Sequence, residues 1–269
     1  MKRPERMNAL LELLGERGRL DVEEAATVLE VSAATMRRDM DALAEQQLLK
    51  RTRGGAVLSS VAYDLPIRYK RGHHAVQKQA VAEAAAGMVG RGDVVGLSGG
   101  TTTTEIARVL ATRPEFAEPG PSAHLTIVTN SLNIANELAV RPQIKIVLTG
   151  GVAHSRSFEL TGPFSELVLR QLTLDIAFIG VNGIDPRWGA TVHDEAEATT
   201  NRLMAERAAR AVVVADSSKL GLRCFAHVGG ADVFGAFITD DGVDEASRAE
   251  FTEGGLKVVT AAVSTVDDS

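Results

Sequence analysis

The chain of 269 residues carries 29 Lys and Arg against 35 Asp and Glu, a net charge of −6. At roughly 100–200 residues per domain this length predicts two domains, and the single cysteine, Cys224, excludes an internal disulfide framework and suits a reducing cytosol. The first segment is charged and amphipathic with no long apolar run, which excludes a signal peptide and a membrane span and predicts a cytoplasmic protein. The negative total would argue against nucleic acid if it were spread evenly. It is not: residues 1–57 balance at 10 Lys and Arg to 10 Asp and Glu, and the whole surplus sits in residues 58–269, with 19 cations and 25 acids. Binding depends on where charge lies rather than on the total.

Met7, Leu10, Leu11 and Leu14 mark an amphipathic first helix that ends between Gly15 and Gly18. A second helix carries Ala25, Val28 and Leu29 behind a capping-box pair, Asp21 and Glu24. In the third, Ser32 is placed to cap the first turn. At about 100° per residue Met36, Met40 and Leu43 share one apolar stripe, Ala34, Thr35, Arg38 and Asp41 face the other way, and Arg37 lies to the side. The small Ala33 and Ala34 let the helix start approach base edges, and arginines pair bidentately with guanine or grip phosphate. A basic glycine hairpin over 48–57 follows, with Lys50, Arg51 and Arg53 and no acid between 46 and 60. Three helices and a hairpin predict a winged helix-turn-helix over residues 1–57. The residues expected at DNA are Ser32, Ala33, Ala34, Thr35, Arg37, Arg38, Lys50, Arg51 and Arg53.

Residues 58–74 mix Ser, Pro, basic residues and two histidines without a period and are read as a linker. Adjacent histidines without a Cys, Asp or Glu at ligand spacing give no metal site, and no cofactor is expected. From 75 to 269 short Val- and Ile-rich runs at 94–97, 126–129, 144–149, 176–181, 211–215, 236–239 and 256–261 alternate with helical segments, among them 77–89, 131–140 and 195–210. This pattern predicts a doubly wound, mostly parallel α/β domain. In such sheets ligands bind beyond the carboxyl ends of the strands. There the chain places Ser98, Gly99, Gly100, Thr101, Thr102 and Thr103 ahead of a helix, a turn suited to an anion. It is neither a P-loop nor a dinucleotide fingerprint, because neither spacing is present. Thr129-Asn130-Ser131, Thr149-Gly150-Gly151, Gly180-Val181-Asn182-Gly183 and Asp216-Ser217-Ser218-Lys219 recur at equivalent positions.

Residues 3–57 resemble the N-terminal domain of the DeoR family of bacterial transcriptional regulators. The family pattern has Val-Ser, two variable residues, Thr-Ile-Arg-Arg-Asp-Leu and a later Gly-Gly-Ala; here stand Val31-Ser32-Ala33-Ala34-Thr35-Met36-Arg37-Arg38-Asp39-Met40 and Gly54-Gly55-Ala56. The second part is similar to the family's effector domain, which shares its fold with ribose-5-phosphate isomerase and the CoA transferases. The match runs through Lys78, Gly100-Thr101-Thr102, Thr129-Asn130, Gly150-Gly151, Asp175 to Gly180, Gly183, Glu195-Ala196 and Asp216, Ser218 and Lys219. The resemblance implies a repressor of carbohydrate catabolism genes that binds an operator in double-stranded DNA and is released by a phosphorylated sugar. It implies a phosphate held by Gly99, Gly100, Thr101, Thr102 and Thr103, with Asn130, Gly151, Asp175, Asn182, Glu195 and Lys219 completing the effector site. Arg156, Trp188 and His193 are expected at the pocket rim, where they would discriminate among sugar phosphates. One winged helix reads only a few base pairs, so a homodimer or homotetramer is expected. The alternative is a sugar-phosphate isomerase-like enzyme. It is disfavoured because Ile179-Gly180-Val181-Asn182 stands where the isomerases carry Asp-Gly-Ala-Asp, without either acid, although Glu195 and Lys219 remain as an acid and a base.

Overall fold

The computed structural model describes residues 1–46, 48–58, 74–117, 123–155 and 157–263. The chain divides into two compact units, Met1–His73 and His74–Ser269. Most of the expected linker, residues 59–73, and Arg156 lie outside the described residues.

The first unit runs α1 (Arg3–Arg17), β1 (Arg19–Asp21), α2 (Val22–Val28), α3 (Ala33–Glu45), β2 (Leu49–Thr52) and β3 (Gly55–Leu58). The expected stripe is its core: Leu10, Leu11, Leu14, Met36, Met40 and Leu43 are all fully buried. Three antiparallel strands in the order β1-β3-β2 form the wing. Strand β1 was not foreseen, and it corrects the capping box. Asp21 sits in the ladder opposite Gly55 and pairs with Arg19 at 3.6 Å, while Glu24 pairs with Arg17; α2 therefore starts without a side-chain cap.

The second unit opens with α4 (Ala75–Ala86), β4 (Val94–Leu97), α5 (Thr101–Thr112), α6 (Pro114–Ala117), β5 (Leu125–Thr129), α7 (Leu132–Leu138) and β6 (Ile144–Leu148). A small hairpin, β7 (Val152–Ala153) and β8 (Leu160–Thr161), leads to α8 (Pro163–Arg170) and β9 (Ile176–Gly180). Then come β10 (Gly183–Asp185), β11 (Gly189–Val192), α9 (Glu195–Glu206), β12 (Ala211–Val214), a 3₁₀ turn (Ser217–Lys219), β13 (Ala226–Gly229), β14 (Ala236–Asp240), α10 (Glu245–Glu253) and β15 (Lys257–Ala261). All seven expected Val- and Ile-rich runs enter one sheet, ordered β15-β14-β12-β9-β4-β5-β6 and parallel throughout. Alternate residues feed two cores, as the pleat requires. Ile176 and Phe178 join Val81, Ile106 and Leu110 in one, and Ala177 and Ile179 join Leu203 and Met204 in the other. Helices thus cover both faces.

From β4 the chain moves outward to β5 and β6, then returns to the other side of β4 with β9. The carboxyl ends of β4 and β9 are therefore the topological switch point, where a doubly wound sheet opens a crevice. The β7–β8 pair and the antiparallel sheet β10-β11-β13 were not expected, because strands of two to four residues are too short to show a period.

Candidate functional site

In the first unit, Ser32 caps α3 by accepting from the Thr35 N–H at 3.2 Å. Its capping leaves Ala34, Arg37 and Arg38 exposed along the helix start and Ala33 and Thr35 half-buried. Arg37 is held across to Glu23 of α2 at 3.1 Å, both side chains being more than half exposed. Arg38 has no ion-pair partner among the described residues. Lys50 and Arg53 are exposed on the wing. Arg51, expected at DNA, is engaged elsewhere: it pairs with Asp41 at 2.9 Å and donates to the Gly55 carbonyl at 2.8 Å. Strand alternation turns it toward α3, so it braces the wing against the helix. Asp39, between the arginines and the apolar stripe, is 2% exposed and binds Arg6 at 2.7 Å and Arg3 at 3.2 Å.

At the switch point, Ser98 ties the ends of β4 and β9 together, accepting from the Gly180 N–H at 2.9 Å. Helix α5 begins at Thr101 behind Gly100, whose φ of 129° is left to glycine, and the start has no side-chain cap. Its first N–H groups have no partner inside the helix and give this end partial positive charge. The Thr103 hydroxyl donates to the Gly100 carbonyl at 3.1 Å, so Thr103 offers an anion its backbone N–H rather than its side chain. Asn130 follows β5, fully buried, and its Oδ1 has no hydrogen-bond partner among the described residues. Asn182 follows β9, half-buried. Lys219 is half-buried in the turn after β12, the strand beside β9. Glu195 is the exposed first residue of α9, behind the N-cap Asp194.

Two expected effector residues take other roles. Asp175 precedes β9 and accepts from the Val94 N–H at 2.7 Å, which puts it at the amino ends of the strands. At about 3.3 Å per residue the strand carries it roughly 15 Å from the crevice. Gly151, at φ 122°, would drive a Cβ to 2.5 Å from the Thr161 carbonyl oxygen; it is there so that β7 and β8 can close.

The 3₁₀ turn after β12 is fixed by carboxylates. Asp240 accepts from the Ser217 N–H at 2.6 Å and from its hydroxyl at 2.8 Å. Burial alone would raise the Asp216 carboxyl. The Ser218 hydroxyl, together with Lys219, Lys78 and His74, outweighs this and holds it below the usual carboxylate range. Lys78 and His74 stand at the start of α4, so the crevice end of β12 is electrostatically joined to the first residues of this unit. Asp240 and the buried Glu159 were not singled out in the sequence. Asp240 ends a strand and precedes Asp-Gly, a turn signal; Glu159 lies in a polar stretch with no periodic signal.

Among the described residues no helix is long and apolar enough to cross a membrane. Residues 6–61 match the DeoR-like helix-turn-helix domain and residues 73–241 the DeoR C terminal sensor domain. The HTH-type transcriptional regulator GlpR of Haloferax volcanii is 35% identical over 256 residues, 95% of this chain and 96% of that protein. The glycerol-3-phosphate regulon repressor of Escherichia coli K12 is 31% identical over 240 residues, 89% of this chain and 92% of the other. A solved ribose 5-phosphate isomerase A from Methanocaldococcus jannaschii is 22% identical at a TM-score of 0.37, over 55% of this chain and 54% of that one, too distant to argue from. These relatives are named as regulators, and with both models matched in order along a winged helix-turn-helix and a doubly wound sensor, the chain belongs to the DeoR family of DNA-binding transcriptional regulators.

Proposed function

We propose that the chain is a cytoplasmic repressor of carbohydrate catabolism genes that leaves its operator when a phosphorylated sugar or polyol enters the β4/β9 crevice. The observation that carries this reading is the uncapped start of α5 at the switch point, together with a buried Asn130 Oδ1, after the neighbouring strand β5, that lacks a donor among the described residues. Backbone N–H groups at a helix start suit a phosphate, and an unpaired buried acceptor suits a sugar hydroxyl. Asn182 and Lys219 follow neighbouring strand ends and would complete the contact, Lys219 on an anionic or carbonyl oxygen and Asn182 on a hydroxyl. Glu195, at the exposed start of α9, belongs to the rim of the same site.

On the DNA side, the exposed start of α3 would enter the major groove, with Ala33, Ala34 and Thr35 close to base edges and Arg37 and Arg38 on guanine or phosphate. Lys50 and Arg53 on the wing would hold the backbone. A homodimer or homotetramer on repeated half-sites would supply the remaining specificity.

Fluorescence anisotropy of the purified protein on its own upstream DNA tests this, with a panel of sugar and polyol phosphates, glycerol 3-phosphate included, and the unphosphorylated parents as controls. Release by one phosphorylated compound and not by its parent is the expected result. Specific DNA binding that no phosphate changes would overturn the effector reading and leave the regulator.

A further inference from the structure

We infer that Glu159 is a resident competitor for the anion cradle: its carboxylate occupies the turn at Gly99, and a phosphorylated ligand has to displace it. This rests on reading residues 98–103 as that cradle.

Glu159 precedes β8 and is 1% exposed. Its backbone is clamped on both sides. It bridges to Ser131, its carbonyl accepts from the His154 N–H at 2.8 Å, and its neighbours are tied across the crevice, Phe158 O accepting from Leu132 N at 3.0 Å and Leu160 N donating to Asn130 O at 2.7 Å. With the main chain so placed, the side chain runs into the switch point. A Cβ built on Gly99 would overlap the Glu159 Oε1, Cδ and Cγ, so the carboxylate lies directly on the glycine turn. Here the helix is uncapped, and a buried carboxamide oxygen of Asn130, without a donor among the described residues, points to a ligand that is not the glutamate.

A helix start stabilises any anion brought to it, and a glutamate is one. A phosphate monoester carries a charge of about −1.5 to −2 with three acceptor oxygens. It meets a like charge at close range beside the buried Glu159, where such repulsion is stronger than in open solvent. The ligand therefore binds only where its stronger anion wins the N–H groups and the Glu159 side chain swings away from Gly99. Glu159 in its seated position thus acts as a filter: phosphate esters enter, and weaker anions such as sugar acids stay out. Its displacement also loosens a side chain that reaches from the β7–β8 hairpin to the turn before α5.

Isothermal titration calorimetry on the full-length chain, wild type against Glu159→Gln, tests this at fixed ionic strength with inorganic phosphate, glycerol 3-phosphate and ribose 5-phosphate. The amide keeps the shape and removes the charge. Affinity for inorganic phosphate and for whichever ester binds is expected to rise at least tenfold. Binding seen only in the variant also supports the proposal. Equal or weaker affinity in a variant with wild-type thermal unfolding would overturn it while leaving the cradle in place. If neither protein binds any of the three, the cradle reading itself fails and the competitor falls with it. Glu159→Asp, which withdraws the carboxylate by one methylene, gives a second variant, expected between the two; an aspartate variant that binds no tighter than wild type counts against the proposal.

Discussion

Arg37 and Arg38 are neighbours in sequence and differ in what they touch. Arg37 is engaged by Glu23, whereas Arg38 is exposed and able to meet DNA without breaking an ion pair among the described residues. Arg38→Ala is expected to weaken operator binding by about 1–3 kcal/mol, the worth of a good base contact, without changing effector affinity; a loss of both would point to a folding defect. Asp39 is the opposite case. It is buried between Arg6 and Arg3, and removing one partner of a buried pair costs about 3–5 kcal/mol. Because Arg3 is 60% exposed, the lower end applies, and Asp39→Ala should lower the urea stability of the first unit by about 3 kcal/mol. Asp216 carries a pH signature. Its carboxyl is held low by Ser218, Lys219, Lys78 and His74 against the effect of burial, so its contribution to stability is complete above the ordinary aspartate value of about 3.9 and is lost as pH falls below it. Wild type should therefore be more stable than Asp216→Asn at pH 7, with the gap closing below about pH 4. A gap independent of pH would contradict this.

At the scale of elements, the β7–β8 hairpin matters most to the crevice, because it carries Glu159. Gly151 lets the hairpin close at φ 122° against Thr161. Gly151→Ala combines a left-handed backbone, worth about 1–3 kcal/mol in a residue with a Cβ, with a clash against main chain. It is expected to lower the melting temperature and to change effector affinity while leaving the first unit's operator contacts intact. This hairpin is also where the sequence was least legible: two residues in β7 and two in β8 show no period. Helix α3 was legible because Met36, Met40 and Leu43 fall on one stripe, and the sheet because strands buried on both faces read as unbroken Val and Ile runs. Arg51 was misread because which side of a short strand meets α3 depends on tertiary packing. Asp175 was misread for a simpler reason: a residue that precedes a parallel strand stands at its amino end, away from the crevice.

At the scale of the molecule, periodicity laid out a winged helix-turn-helix and a doubly wound α/β domain, the surplus acid fell in the second, and that domain's sensor role was implied by the family resemblance. In the proposed function, what would tie them is linkage. A ligand moves a regulator between states only through its differential affinity for them, typically about 1–3 kcal/mol of coupling. Coupling between two binding sites is reciprocal, and this gives the most direct measurement: the affinity of the full-length protein for its releasing phosphate ester, measured with and without saturating operator DNA. Operator is predicted to weaken the ester by the same factor by which the ester weakens operator, about 5- to 150-fold. An ester affinity that operator leaves unchanged would contradict the account, because the crevice would then bind its ligand without reporting it to the DNA reader.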